Sequence, residues 1–414
     1  MKTIVFIGAN KSGSSREAIK AAERMGYLTV LLTNRSKFLL QRTEFPDVHE
    51  MMFSVFTKEH LIQCILELEN QGKEIAGILS FLESYVCLAC ELSDEWGISS
   101  FSIEAMRKME NKIETHHVLK GITSPQFEVF HPLDSLPKFL NRHKVGKWIV
   151  KPPNSTGSKD VILADGQKAL KQAIQHLSNK RHGQPILVEK YLDGPQYLVE
   201  ALIDSGTVHI VAVIKQSFSE INPFVVTGYS IQTDLEEDFY EGLYENVTSI
   251  IRAFNFTKGA CHLELRFVYG KWKLIEINPR ISGGAMNAMI EKAYGINLVE
   301  QTIRLYLGQT PELTSQWKTN IYTHYVTVNN SGKLLKVTGR NRAARCQGVE
   351  QVYVKPRKGT MIAPPVSMGK RYAYVIAKGD TSEQAKINAQ TAAKELHFHL
   401  EEEKHDNNRN AFSP

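Results

Sequence analysis

Residues 260–280 read ACHLELRFVYGKWKLIEINPR, two runs of alternating apolar and polar residues on either side of Tyr269-Gly270. That pattern predicts an antiparallel hairpin with one buried face. Alternate side chains of a strand share a face, so Glu276, Asn278 and Arg280 project together while Ile275 and Ile277 point to the core. On the preceding strand Glu264 opposes Leu263 and Leu265. A two-residue loop at Tyr269-Gly270 would set Glu264 and Glu276 on opposite faces. A three-residue loop, Val268-Tyr269-Gly270, sets them together, and this is the expected geometry. Two carboxylates so close repel, which implies a cation between them. Glu and Asn supply hard oxygen donors suited to Mg²⁺, and a forked, always charged Arg280 suits charge developing on a phosphoryl group or oxyanion. A solvent-facing charged hairpin is the plain alternative; Pro279 and the following SGG make a poor ordinary strand end.

The rest of the chain must house this hairpin. Its 414 residues suggest two or three domains, and 42% hydrophobic with 23% charged residues describe a globular protein. Fifty Lys plus Arg against 44 Asp plus Glu leave +6, suited to anionic small ligands, and without a basic block nucleic acid is not expected as a partner. The N-terminal MKTIVFIGAN has too short an apolar run for a signal or membrane span, so no membrane association is expected. The five scattered cysteines suggest reduced thiols in the cytoplasm, and Cys87 and Cys90, although spaced CxxC, read as core packing.

The first hundred residues alternate strand and helix, a parallel α/β domain over 1–108. Ser14 or Ser15 is expected to cap the first helix and Gly26 to stop it. The loop GANKSGSS lacks GxGxxG, and Thr33-Asn34 ends the second strand where an acid would bind ribose, so an NAD site is not expected. From 109 to 310 short strands between turns imply an α+β domain, with a central subdomain over about 112–186. A lobe over 311–404 ends in a helix opened by a Thr381/Gln384 capping box, and 405–414 read as a frayed tail.

Two further segments carry chemistry. KWIVKPPNSTGSKDV reads as a strand ending at Lys151, then a loop, then a second strand. Ser155, Thr156, Gly157 and Ser158 offer N–H groups and hydroxyls that could fold over phosphates, and a polar hairpin is an equal reading of the loop alone. PILVEKYLDGPQY is an apolar strand carrying Glu189 that breaks at Asp193-Gly194-Pro195, where backbone groups at an edge could read adenine.

Together these segments resemble the ATP-grasp carboxylate–amine ligases, and within them the bacterial L-amino acid ligases, over about residues 1–400. The resemblance implies an ATP-grasp fold, mixed α/β and α+β, with a Rossmann-like N-terminal domain and a C-terminal lobe. It implies that Lys112 and Lys151 contact the nucleotide and that the Ser155–Ser158 loop covers its phosphates. Glu189 would take the adenine amine, with Lys190, Tyr191 and Leu192 completing the hinge. Gln196 stands where relatives often place a ribose-binding glutamate. Glu264, Glu276 and Asn278 would hold two Mg²⁺ ions, or Mn²⁺, with Glu276 bridging, and Arg280 would stabilise the oxyanion. Relatives frequently carry Gly-His where this chain has Gly228-Tyr229.

The implied reaction is attack of an amino-acid carboxylate on ATP, giving an acyl phosphate that a second amino acid's amine converts to a dipeptide, with ADP and phosphate released. Glu83 could hold a substrate ammonium or simply open a helix, and Ser282, Gly283 and Gly284 leave room for a medium to large first residue. A different amine acceptor, or a kinase leaving a stable phosphorylated product, are the competing readings. His116 and His117 diverge on their helix as surface and packing residues, His397 and His399 lie near the tail, and the assembly is expected to be a monomer or homodimer.

Overall fold

A computed structural model describes residues 2–143, 145–154, 159–219, 225–365 and 370–401. Ser155, Thr156, Gly157 and Ser158, and the tail 405–414, lie outside the described residues. The chain divides into two compact units, one of Met1–Thr156, Asp160–Lys215 and Gln232–Lys318, the other of Gly157–Lys159, Gln216–Ile231 and Thr319–Pro414. Its architecture is mixed α/β and multidomain. No helix among the described residues is long and apolar enough to cross a membrane.

Within the first unit, a parallel sheet orders its strands Glu50–Phe53, Leu28–Thr33, Lys2–Ile7 and Glu74–Leu79. Ile4, Val5, Phe6 and Ile7 are all buried, as a strand covered on both faces requires. The helix Ser14–Arg24 buries Ala18, Ile19, Ala21 and Ala22. Its N-cap is Gly13, not a serine: Ser14 and Ser15 sit inside the first turn, where Ser15 Oγ accepts the Asn10 N–H and Ser14 Oγ donates to the Ser282 carbonyl at 2.8 Å. All five cysteines are free, and burial pushes the Cys90 thiol well up, so the CxxC pair belongs to the packing of helix Val86–Glu95.

A second sheet in this unit orders Phe127–Phe130, Ile186–Lys190, Lys147–Lys151 and Ile162–Asp165. Phe139, Trp148, Val150, Leu170, Ile174 and Val188 pack its core against the helices Leu136–Arg142 and Gly166–Lys180. Lys147–Lys151 and Ile162–Asp165 pair antiparallel, the strand–loop–strand arrangement expected around NSTGS.

The third sheet runs Lys271–Asn278, Gly259–Val268, Gln196–Asp204 and Thr207–Phe218. Its first hairpin corrects the expected loop. Val268 pairs with Lys271, so the turn is the two-residue Tyr269-Gly270, with φ of 49° and 75°. Both values are positive, as a type I′ turn needs. Parity is restored further down, where the register shifts between Glu264 and Leu265: Leu265 faces Leu274, Glu264 faces Glu276, and Ile275 is the inserted residue. Ile275 is therefore half-buried instead of seated in the core, whereas Ile277 is buried.

In the second unit the strands Val226–Ile231, Asn320–Val326, Ala373–Gly379 and Val349–Val354 lie side by side under the helix Ser382–Lys394. Thr381 caps that helix by accepting the Gln384 N–H at 3.1 Å. His397 and His399 belong to a strand, His397–Glu401, paired with Gly332–Thr338.

Gly194, in the break before the strand Gln196–Asp204, packs so closely that a Cβ there would run into the Phe267 carbonyl oxygen. Gly194→Ala should therefore lower stability by about 1–3 kcal/mol in urea denaturation. Gly283→Ala, with nothing within 4 Å of the new carbon, should leave the midpoint in place; equal effects would show that the Phe267 contact is not what limits the site.

Candidate active site

The register of the third sheet gathers polar side chains on one face. Glu264 pairs with Glu276, His262 with both Asn278 and Glu200, and Arg266 with Gln196. Partners in register share a face, while Leu263, Leu265, Cys261 and Ile277, all buried, fill the other. Asn278 Nδ2 donates to Glu276 Oε1 at 3.2 Å. Lys112, at the start of helix Lys112–Val118, reaches within 3.4 Å of the same oxygen. Glu276 and Glu264 thus face one another with a lysine alongside, the arrangement expected of the hairpin, reached by an inserted residue instead of a longer turn.

Charges around Glu264 are arranged to keep it ionised. Burial alone would raise its pKa, but His262, Lys112 and Lys151 outweigh that and lower it. Burial also opposes charge on His262, yet the Glu200 carboxylate, 2.6 Å from Nδ1, pushes the imidazole up to about 10. Gln196 does not stand alone either: its Nε2 donates to Glu264 Oε2 at 3.0 Å, and Arg266 Nε donates to its Oε1 at 3.1 Å. Arg266 also donates to the Leu192 carbonyl and lies 5.2 Å over the Tyr191 ring, tying the hinge segment to this face.

Among the described residues no three His, Cys, Asp or Glu side chains are grouped to hold a metal ion. Two carboxylates in register plus an amide are nonetheless a fitting donor set for Mg²⁺, which takes one or two carboxylates and completes its shell with water and phosphate oxygens.

The side chain of Glu189 is buried within the second sheet, 2.5 Å from Lys151 Nζ and 2.8 Å from His116 Nε2. Its carboxylate, expected to take an adenine amine, is engaged by these two side chains, and the Lys190 N–H is bonded to the Gln126 carbonyl. Burial works against its charge, but Lys151 and His116 hold its pKa down at about 2. His116 is buried and stacks on Phe127, so it is an internal partner and not a surface residue. His117, one position on, lines a separate cavity of about 520 Å³ with Lys120, Phe127 and His131.

The strand ends at Asn278, and Arg280 sits in the following bend with its N–H on the Asn278 carbonyl. There its guanidinium pairs with Glu83, which opens the short helix Glu83–Tyr85. Ser282 is buried, held by Glu200 through its N–H and by Ser14 through its carbonyl, while Gly283 and Gly284 are exposed. Tyr229 belongs to the second unit, where it is buried, bonded by Arg371 at 3.4 Å and set edge-on to Tyr325. Sequence reasoning passed over His262, Glu200 and Arg266, and gave His116 no partner. The alternation His262, Glu264, Arg266 in CHLELRF was a signal for the first and third.

Residues 146–288 match the ATP-grasp domain, and residues 324–401 match the L-amino acid ligase C-terminal domain 2. The chain is 23% identical to the L-arginine-specific L-amino acid ligase of Bacillus subtilis, over 87% of this chain and 89% of that one. It is 23% identical to dapdiamide A synthase of Enterobacter agglomerans, over 57% of this chain and 58% of the other. Among solved structures, an L-amino acid ligase from Bacillus licheniformis superposes with a TM-score of 0.81 at 20% identity, covering 97% of this chain and 99% of its own.

The buried Lys151–Glu189–His116 cluster makes a stability prediction. The Glu189 pKa lies below its ordinary 4.5, so its contribution is present above that value and lost as pH falls toward 2. Glu189→Gln should destabilise the chain by about 3 kcal/mol at neutral pH, leaving Lys151 short of its counter-charge. In urea titrations the gap to wild type should close between pH 4.5 and 2; a gap independent of pH would refute the pairing.

Proposed function

We propose that this chain, an ATP-grasp carboxylate–amine ligase related to the L-amino acid ligases, joins two unprotected L-amino acids into a dipeptide with ATP as the energy source. The observation that carries the reading is the in-register pairing of Glu264 with Glu276, with Asn278 beside them and Arg280 two residues beyond. Glu264, Glu276 and Asn278 would hold two Mg²⁺ ions, for which Mn²⁺ can stand in. When bound, such ions would neutralise negative charge on the terminal phosphates.

The chain's own groups do the rest. Lys112 and Lys151 supply positive charge to the phosphates, and Glu189 to Leu192 with Gln196 seat the nucleoside. The carboxylate of the first amino acid attacks the γ-phosphorus. A new P–O bond forms as the bond to the β-phosphate oxygen breaks, and ADP leaves with that electron pair. Arg280, oriented by Glu83, faces the charge that develops, first on the phosphoryl group and then on the oxyanion of the tetrahedral intermediate. The second amino acid, having given its ammonium proton to solvent, attacks as the neutral amine: the C–N bond forms, the acyl C–O bond to phosphate breaks, and the extra N–H proton leaves with the departing phosphate. Ser282, Gly283 and Gly284 shape the seat of the first amino acid. The free thiols suit a reducing, cytoplasmic setting.

A screen of amino-acid pairs for phosphate release, with products read by mass spectrometry, tests the reading. Release that depends on both partners and yields a new dipeptide is expected. Release with a carboxylic acid and a non-amino-acid amine would move the acceptor class, and a stable phosphorylated product would make the chain a kinase. Glu276→Ala should cut phosphate release by about 10²–10³-fold or more with an unchanged circular dichroism spectrum. Turnover near wild type would remove Glu276 from the site.

A further inference from the structure

Glu200 is 0% exposed and His262 6%, yet neither is given a role by the reaction just described. A carboxylate without solvent is costly unless both of its oxygens are satisfied. Here both are: one accepts from His262 Nδ1 at 2.6 Å and the other from the Ser282 N–H at 3.1 Å. What lies at the far ends of these bonds matters more. His262 turns its second nitrogen toward Glu264, with Nε2 3.8 Å from Oε1, and Glu264 in turn accepts from Gln196. Ser282 is two residues beyond Arg280, and Ser14 and Asn287 bind its carbonyl from other elements. One side chain in the middle of the sheet thereby joins a carboxylate of the paired set to the loop that follows the arginine.

We propose that Glu200, acting through His262, is a positioning residue that fixes the Glu264 carboxylate relative to the Arg280–Gly284 loop. The proposal rests on the reading of Glu264 as a metal-facing group. Neither residue touches the reacting atoms. Glu200 holds the ring of His262, the ring limits the rotamers open to Glu264, and the same Glu200 carboxylate holds the loop by its Ser282 amide. Partners placed behind a metal ligand in this way are worth 10–100-fold in metal affinity or activity when removed.

The test uses the full chain with Mn²⁺ as the paramagnetic probe, titrated in the presence of a non-hydrolysable ATP analogue, beside steady-state kinetics with the best amino-acid pair. Glu200→Gln keeps the shape and removes the charge, and His262→Asn is the second variant should the first not fold. Each should weaken Mn²⁺ binding by about 10–100-fold and lower kcat by a similar factor. KM for the amino acids should stay within about 3-fold, and excess Mg²⁺ should restore part of kcat. A folded variant that loses only thermal stability, with Mn²⁺ binding and kcat as in wild type, overturns the proposal. Wild-type protein that binds Mn²⁺ with nucleotide yet condenses no amino acids defeats the dipeptide reading while leaving the variants' metal affinity as the judge of Glu200. Wild-type protein that binds no Mn²⁺ defeats both.

Discussion

Like charges set directly opposite each other across a sheet are destabilising, and this chain places Glu264 against Glu276 in register on neighbouring strands. The surrounding structure is organised around that repulsion. Lys112 approaches from the first turn of its helix, His262 from the same strand, and Lys151 adds its charge from the other sheet. Each cation is itself buried, and each is held by a further partner. The face is therefore a balanced set of opposed charges in which no member can be removed alone without leaving another exposed to a poor environment.

The second sheet follows the same logic with fewer parts. Glu189 lies between Lys151 and His116, so the strand Lys147–Lys151 is tied to Ile186–Lys190 by an ion pair as well as by its backbone ladder. His116 is supplied by the helix that also presents Lys112, and its other nitrogen meets Ser124 Oγ at 2.8 Å. One short helix thus serves both sheets: Lys112 and His116, four residues apart and so on one side, reach the half-buried Glu276 and the buried Glu189. The geometry makes the relative placement of the two sheets within this unit a matter of charge as well as of packing.

Much of this was legible in the residues. Alternation around Tyr269-Gly270 identifies the hairpin, and period-two spacing puts Glu276 and Asn278 together, because both follow from the pleat alone. The mixed α/β architecture follows from the order of strand-like and helix-like runs. The inserted Ile275 was not legible, since nothing in KLIEIN distinguishes a regular strand from a bulged one; only pairing with a specific partner strand reveals it. The serine caps failed because Gly13 holds the cap position and both serines fall inside the first turn, where Ser14 donates to the Ser282 carbonyl, 268 residues away. That His116 and His117 diverge as packing and surface residues follows from the helix, but local sequence cannot show which of them is buried or that Glu189 waits for His116 across the fold. Glu200 was invisible inside QYLVEALID, where one acid among apolar residues reads as an ordinary alternation until its two distant partners are known.

The compensation between the tight turn at Tyr269-Gly270 and the extra residue at Ile275 has a consequence for how such hairpins can vary. Side-chain facing depends on the sum of the two lengths, not on either alone. A homologue that lengthens the tip by one residue would have to straighten the strand below it, and one that loses the kink would have to lengthen the tip. Loop length and strand irregularity, usually treated as independent sources of variation, are here bound together as one inherited trait.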